Sequence, residues 1–284
     1  MSCGIWGAAV EGIPVTVNAK KDPVKLPALQ GHRGASALAP ENTLAAFRRA
    51  IDLGADGMEM DLQLTRDGAV VVIHDDTLDR TTDGHGRVTD LSLAEVRQAD
   101  AGVKFGHAFR GQRVPTLSEV IDLVKASGNE RVRLNLEIKF GEGREGTPEG
   151  IEAGVLAILR QTGFVERVTV QSFHHPSAAK MKGLEPRIPT GLLVGERQRP
   201  PDPVSLVRQF RADYYAPHHR LVTAELVQTL HQAGIPVVTW TVNDEADMRR
   251  MIHLGLGSLP GDAIISDHPD RLLAVVKALQ TPTR

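Results

Sequence analysis

Residues 57–76 have the sequence GMEMDLQLTRDGAVVVIHDD. Two β-like runs, 57–64 and 70–74, are joined here by residues 65–69, a connection too short for a helical crossover between parallel strands. The dipeptide Asp67-Gly68 is a strong signal for a hairpin turn. This stretch therefore predicts an antiparallel β-hairpin, and it decides how the other strands are counted.

Short β-like runs and amphipathic helical patterns alternate through the rest of the chain. The candidate strands are 28–32, 57–64, 70–74, 132–138, 168–171, 190–194, 213–216, 237–242 and 263–266. Helical patterns cover 43–53, with Asn42 as the expected cap, and 151–161, 224–233, 245–254 and 269–279. Such alternation over about 250 residues is typical of an α/β fold of the (β/α)8 TIM-barrel type. Assigning 70–74 to the hairpin leaves eight parallel strands.

Two segments do not fit the barrel repeat. Residues 1–27 form an N-terminal extension ahead of a barrel domain predicted over 28–284. Residues 77–111 are polar and rich in glycine, and they match no β/α unit. We expect them to be a small cap inserted over the top of the barrel, at approximately 77–114.

Polar residues alternate with apolar ones along the first hairpin strand. Glu59, Asp61 and Gln63 share one face, and the methionines and leucines share the other. A two-residue turn would pair Asp61 with His74 and bring His74 to the carboxylate face. A three-residue turn would shift the register by one residue and separate them, so this expectation depends on the turn.

The strand predicted over 132–138 repeats the pattern. Asn135, Glu137 and Lys139 share one face, while leucines and an isoleucine share the other. Because the outer face of a barrel strand meets apolar helices, we expect Glu59, Asp61 and Glu137 to converge inside the barrel near its C-terminal mouth. Converging carboxylates repel unless a cation or proton neutralises them. All-oxygen ligands favour Mg²⁺ or Ca²⁺ over zinc.

Two histidines end predicted strands beside these carboxylates. His32 lies in Gly-His-Arg-Gly, next to Arg33, and His74 precedes an aspartate pair. A divalent ion with Arg33 and Lys139 could stabilise charge on phosphoryl oxygens, while the histidines accept and donate protons. These are the groups that hydrolysis of a phosphodiester requires.

The order of several motifs makes the chain similar to the glycerophosphodiester phosphodiesterase family, from residue 29 to about 272. The matching blocks include His32-Arg33-Gly34, Ala39-Pro40-Glu41-Asn42-Thr43, Glu59-Met60-Asp61, Ile73-His74-Asp75-Asp76-Thr77, Asp79-Arg80-Thr81-Thr82, Glu137-Ile138-Lys139, Gln171-Ser172-Phe173, Trp240-Thr241-Val242-Asn243 and Ser266-Asp267-His268-Pro269.

The resemblance implies a phospholipase-C-like barrel with an insertion, and roles for its residues. His32 and His74 would be the acid/base pair, and Glu59, Asp61 and Glu137 would hold the divalent ion. Arg33 and Lys139 would contact phosphate. Trp240 is expected as a pocket wall for the glycerol, and Gln171 as either a ligand contact or a core amide. Attack by the substrate's own 2-hydroxyl, through a cyclic phosphate, and direct attack by water both stay open.

Composition excludes several other classes. Lys plus Arg number 33 against 35 Asp plus Glu, so no basic surface for nucleic acid is indicated. With Cys3 as the one cysteine, neither a disulfide nor a cysteine metal site can form within the chain. No run approaches the roughly 20 apolar residues of a membrane span, and no secretory signal is evident, which favours a cytoplasmic location. The oligomeric state stays open and allows a homo-oligomer.

The expected reaction is metal-dependent hydrolysis of a small glycerophosphodiester to sn-glycerol 3-phosphate and an alcohol. One alternative keeps the barrel and changes the substrate, to a lysophospholipase-D-like or other phospholipid phosphodiesterase activity. A second alternative is a phosphate-binding barrel without catalysis. Loss of a histidine or a carboxylate would indicate it, and the whole set is present.

Overall fold

The computed structural model describes residues 25–140, 150–198, 200 and 202–280. All but three residues of the predicted extension 1–27 lie outside the described residues. Within them the strands are β1 (Ala28–Gly31), β2 (Gly57–Leu64), β3 (Val70–Val72), β4 (Arg133–Ile138), β5 (Val168–Ser172), β6 (Thr190–Val194), β7 (Tyr214–Pro217), β8 (Val238–Thr239) and β9 (Ala263–Ser266). The helices are α1 (Leu44–Leu53), α2 (Leu93–Val96), α3 (Leu117–Ala126), α4 (Ile151–Thr162), α5 (His175–Leu184), α6 (Pro203–Gln209), α7 (Ala224–Gln232), α8 (Glu245–His253) and α9 (Pro269–Gln280).

Eight of these strands form the predicted barrel. They are parallel and follow the order β7-β6-β5-β4-β2-β1-β9-β8. Isolated parallel bridges, Tyr215 with Val237 and His218 with Trp240, link the β7 and β8 edges. The nearly closed barrel confirms the predicted fold class, and the antiparallel pairing of β3 with β2 confirms the hairpin.

The register of that hairpin differs from the prediction by one residue. Leu62 pairs with Val72 and Leu64 with Val70, so the loop has three residues. The Thr65 backbone N–H donates to the Ala69 carbonyl at 3.0 Å, and Gly68 takes a φ of 81° that completes the three-residue turn. The expected pairing of Asp61 with His74 is therefore wrong.

The two faces of the barrel strands carry different side chains. Met58, Met60 and Leu62 belong to one apolar cluster with helix residues such as Phe47 and Val120. The residues between them along β2 face the barrel interior. On the far half of the barrel the interior is apolar and includes Leu193, Tyr214, Ala216, Val238, Ala263 and Ile265. The polar interior is thus concentrated near β1, β2 and β4.

The segment between β3 and α3 has its own small core. Val88 and Val96 pack there with Leu78, Val114 and the outer face of β3. Its longest helix is α2, capped by Ser92 and Glu95. This segment follows no β/α repeat, as its composition predicted.

The cap of α1 differs from the expectation. The Thr43 side chain, rather than that of Asn42, accepts the Ala46 backbone N–H. Asn42 has a φ of 57° and directs its amide toward Asp61 instead. The local sequence offers two good capping residues in succession, and the buried carboxylate decides which one caps.

Candidate active site

Three carboxylates meet inside the barrel. Asp61 on β2 lies opposite Glu137 on β4, and Glu59 lies opposite Asn135. One oxygen from each of Glu59, Asp61 and Glu137 lies within 4.8 Å of the others. Their exposed fractions are 1%, 1% and 8%. The convergence expected from strand alternation is therefore present in the structure.

Two cations lie against this cluster. Arg33 places Nε 3.2 Å from Oδ2 of Asp61. Lys139 places Nζ 2.8 Å from Oε1 of Glu137 and 3.7 Å from Oδ1 of Asp61. Burial alone would raise the pKa of Asp61, but the charges of Arg33 and Lys139 hold it well below its usual range.

The third carboxylate is less well compensated. Burial, together with the charges of Asp61 and Glu137, raises the pKa of Glu59 well above its ordinary value. Within the described part of the chain, Oε1 of Glu59 and Oδ1 of Asp61 are buried and have no hydrogen-bond partner. Buried anionic oxygens without donors are unfavourable unless a proton or cation completes the site.

His32 follows β1 and is held by a residue from the other end of the chain. Its Nδ1 lies 2.6 Å from Oδ1 of Asp267, just after β9. Its Nε2 points toward the cluster, 3.8 Å from Oε2 of Glu59. Asp267 also accepts hydrogen bonds from Ser36 at 2.8 Å and Asn243 at 2.6 Å. Burial would raise the pKa of Asp267, but its bond to His32 and the other donors lower it far below the usual range.

The tight turn after His32 needs its glycine. Arg33 has a φ of 52°, and Gly34 has a φ of 85°. A Cβ atom at Gly34 would lie 2.6 Å from the backbone carbon of Ala46 on α1. This close approach lets the Arg33 backbone N–H donate to Glu59 at 3.1 Å. The His-Arg-Gly motif is therefore a structural requirement as well as a source of side chains.

His74 reaches the site by a different route from the predicted one. The chain leaves the β-ladder after Val72, and the Gln63 amide donates to the carbonyls of Ile73, His74 and Asp75. Nδ1 of His74 lies 2.6 Å from Oδ1 of Asp75. Its charge is among the causes that lower the pKa of Asp61, after burial, Arg33 and Lys139. The loop held by Gln63, rather than strand register, positions His74.

Gln171 and Trp240 occupy different parts of the mouth. Gln171 on β5 pairs with Glu137 in the sheet and is 2% exposed, and its Oε1 has no partner among the described residues. Trp240 follows β8, where its Nε1 donates to the Ala216 carbonyl at 2.9 Å. Its ring stands perpendicular to that of Phe173, with centroids 5.4 Å apart. Trp240 packs against the apolar cluster in the far half of the barrel.

Several neighbours of the site were assigned no role in the site from the sequence. Asp267 and Asn243 hold His32, Asp75 holds His74, and Asn42 donates to Asp61 at 2.8 Å. Glu41 accepts a hydrogen bond from Nη1 of Arg33 at 2.8 Å. The sequence signal that could have identified these neighbours was their position, since each lies beside a strand end or beside a predicted site residue.

The other end of the barrel holds a separate cavity of about 760 Å³. Lys25, Gln30, Asp56, Arg133 and Asp262 are among its lining residues, which include none of the predicted site residues. In barrels of this type the chemistry lies at the C-terminal end of the strands. The residues described above, rather than this cavity, form the candidate site.

No helix within the described ranges has the length and apolar character needed to cross a bilayer.

Comparisons with known proteins agree with the geometry. Residues 32–271 match the Glycerophosphoryl diester phosphodiesterase family. The chain is 41% identical over 246 residues to the glycerophosphodiester phosphodiesterase of Caldanaerobacter subterraneus subsp. tengcongensis, covering 87% of this chain and 96% of the relative. It is 35% identical to the glycerophosphodiester phosphodiesterase of Bacillus altitudinis, over 86% of this chain and 96% of that protein.

Solved structures give the same result. A phosphodiesterase from Oleispira antarctica, in complex with the product sn-glycerol-3-phosphate, superposes with a TM-score of 0.77 and 32% identity, covering 89% of this chain and 97% of that one. A glycerophosphodiester phosphodiesterase from Agrobacterium tumefaciens superposes with a TM-score of 0.73 and 27% identity, over 88% and 100% of the two chains. The chain belongs to the glycerophosphoryl diester phosphodiesterase family.

Proposed function

We propose that this protein hydrolyses small glycerophosphodiesters to sn-glycerol 3-phosphate and an alcohol. Membership of the family makes it a phosphoric diester hydrolase. The observation that carries the proposal is the meeting of Glu59, Asp61 and Glu137 beside two histidines, each with a carboxylate on Nδ1. The product complex of the Oleispira antarctica relative supports the choice of product.

The carboxylate cluster fits a divalent cation. The fit rests on the buried oxygens of Glu59 and Asp61 that have no donor in the described part of the chain. An all-oxygen donor set favours Mg²⁺ or Ca²⁺ over softer metals. When bound to Glu59, Asp61 and Glu137, such an ion would neutralise charge on the phosphoryl oxygens.

His32 and His74 are proposed as the acid/base pair. Asp267 has a strongly lowered pKa and is therefore an acceptor, so the hydrogen between it and His32 belongs to Nδ1. The bond from His74 to Asp75 assigns its hydrogen to Nδ1 in the same way, because the pKa of Asp75 is lowered to about 2. Each Nε2 is then the nitrogen free to exchange a proton with substrate or leaving group.

Arg33 and Lys139 are proposed to hold the phosphate, and Gln171 and Trp240 to contact the rest of the substrate. Both cations are largely buried and already lie against Asp61. A phosphate placed above the carboxylates and a divalent ion would find these charges at short range in a dry environment, where they act strongly. Gln171 offers a buried amide oxygen that has no partner among the described residues.

The test is a coupled assay for sn-glycerol 3-phosphate release from glycerophosphocholine. The assay is run on the wild type with EDTA and then with Mg²⁺ or Ca²⁺ restored. EDTA should abolish release and one of the metals should restore it. His32→Ala and His74→Ala should lose activity by orders of magnitude, whereas His253→Ala, an exposed histidine on α8, serves as the matched control. A folded wild type that releases no product under any metal would overturn the proposal.

The remaining predictions concern organisation and location. A barrel domain over 28–284, with residues 77–114 inserted, can be checked by limited proteolysis and mass mapping. The cytoplasmic location and the homo-oligomer stay predictions, to be checked by cell fractionation and light scattering.

A further inference from the structure

Arg80 connects two carboxylates at the edge of the site. Its Nε and Nη2 donate to Asp75 at 2.5 and 2.9 Å, and its Nη1 and Nη2 donate to Glu41 at 2.9 and 2.7 Å. These four bonds engage four of the five N–H donors of the guanidinium group. The side chain is 49% exposed, so these bonds, rather than apolar packing, define its place.

Each of these two carboxylates also forms a hydrogen bond with a proposed site residue. Asp75 holds Nδ1 of His74 at 2.6 Å, and Glu41 accepts Nη1 of Arg33 at 2.8 Å. One guanidinium group from the segment between β3 and α3 therefore contacts the partners of both the acid/base histidine and the phosphate-binding arginine. The planar fork of arginine suits this double bidentate contact, and lysine cannot reproduce it.

Charge gives Arg80 a second effect. Without Arg80, Glu41 would place an uncompensated negative charge against Arg33 and weaken the attraction of Arg33 for a phosphate. Asp75 would likewise be free to rotate away from His74. The hydrogen bond from Arg80 is the largest cause that lowers the pKa of Asp75 to about 2.

We infer that Arg80 is a positioning residue that acts through Glu41 and Asp75 to fix Arg33 for phosphate binding and His74 for proton transfer. The inference rests on the proposed function of those two residues. The competing explanation is a plain surface tether between the inserted segment and the barrel. Exposed ion pairs of that kind contribute little to stability.

The chain supplies a matched control for the tether. Arg97, at the end of α2, donates to Glu119 on α3 at 2.7 Å and is 40% exposed. It joins the same inserted segment to the barrel without contacting a proposed site residue. Arg97→Ala should therefore keep normal activity and report the cost of losing a tether.

The experiment compares Arg80→Ala, Arg80→Lys and Arg97→Ala in the metal-supplemented hydrolysis assay. Arg80→Ala should lose roughly 10- to 100-fold in kcat/KM, by analogy with the loss found when the outer partners of metal ligands are removed. KM should rise through Arg33 and kcat should fall through His74. Added guanidinium ion should restore part of the activity of Arg80→Ala and leave the activity of Arg97→Ala unchanged. The KM of Arg80→Lys should lie closer to the wild-type value than its kcat does.

A double-mutant cycle decides the route. In a Glu41→Gln, Asp75→Asn background, Arg80→Ala should add less than about twofold, the scatter expected for changes without further coupling. A full additional loss would mean that Arg80 acts on the substrate itself and would overturn the inference. Wild-type-like kinetics of Arg80→Ala, or an equal loss in Arg97→Ala, would do the same.

Phosphate binding provides a readout that does not depend on turnover. Calorimetric titration with sn-glycerol 3-phosphate should show weaker binding to Arg80→Ala than to the wild type and no change for Arg97→Ala. If the wild type hydrolyses no phosphodiester, the proposed function fails, and this titration still tests whether Arg80 fixes Arg33 for phosphate binding. Equal affinity of the wild type and Arg80→Ala for sn-glycerol 3-phosphate would overturn that part of the inference.

Discussion

Nδ1 of His32 lies 2.6 Å from Oδ1 of Asp267, although 235 positions separate them in the chain. The contact forms because β1 and β9 are neighbours in the barrel, with Gly31 paired to Ser266. Both residues then leave the C-terminal ends of adjacent parallel strands. Closure of the barrel therefore joins the first and last parts of the domain in one proposed acid/base unit.

Asp267→Asn should impair catalysis without unfolding the protein. An asparagine can no longer offer two acceptor oxygens to His32, Ser36 and Asn243, so the imidazole loses its fixed orientation. We expect a loss of roughly 10- to 100-fold in kcat with metal affinity retained. Product release and calorimetric metal binding measure the two quantities.

Asp244→Asn is the control for this variant. Asp244 is exposed, adjoins Asn243 and makes no side-chain cap hydrogen bond to α8. Equal activity of Asp267→Asn and the wild type would show that His32 needs no carboxylate partner.

Metal affinity should increase with pH. Burial and the charges of Asp61 and Glu137 raise the pKa of Glu59, so the cation-free site retains a proton on that carboxylate at pH values at which an ordinary glutamate has lost it. A divalent ion must displace this proton. Affinity for Mg²⁺ or Ca²⁺ should therefore rise until the pH passes the raised pKa.

Calorimetry in two buffers of different ionisation enthalpy measures the proton release. Glu59→Gln should bind the ion more weakly and should lose most of the pH dependence. Release of no proton from the wild type at any pH below neutrality would contradict the expectation.

Replacement of Asn42 by alanine should destabilise the protein more than replacement by glycine. Either change removes the 2.8 Å bond from Asn42 to Asp61, but only alanine opposes the φ of 57°. The left-handed conformation costs an L-residue such as alanine about 1–2 kcal/mol, and glycine avoids this cost. Glycine in turn destabilises the folded state by about 0.4–1 kcal/mol relative to alanine, because its unfolded chain has more conformational entropy to lose. Asn42→Ala should thus be less stable than Asn42→Gly by about 1 kcal/mol in urea unfolding. Greater stability of the alanine variant would contradict the assigned backbone conformation.

Acid should remove the contribution of Asp75 to stability. Its folded pKa of about 2 lies below the ordinary value of about 3.9. A depressed pKa means that the ionised group stabilises the fold fully above its unfolded pKa and loses this effect as the pH falls toward the folded value. The difference in unfolding free energy between wild type and Asp75→Asn should shrink from about pH 4 to about pH 2. A difference that stays constant or grows over this interval would refute it.

Local sequence was enough for the barrel and for the carboxylate face. The alternation of Glu59 and Asp61 with methionines depends only on the geometry of one strand, and β4 repeats it at Asn135 and Glu137. The hairpin followed from a short connection with Asp67-Gly68. These features have a period of two residues or a span of a few residues, so the sequence carries them directly.

Contacts between distant segments were decided by the tertiary structure. The hairpin register depended on the φ of Gly68, and the cap of α1 depended on the buried Asp61 that engages Asn42. His32 is held by Asp267, which follows β9. Arg33 donates to Glu41, and Glu41 also accepts from Arg80 in the inserted segment. The sequence by itself determined which side chains face the barrel interior, because that is a property of each strand. Barrel closure and the docking of the inserted segment decided which groups contact these side chains, because a buried charge can pair only with the polar groups that packing brings close to it.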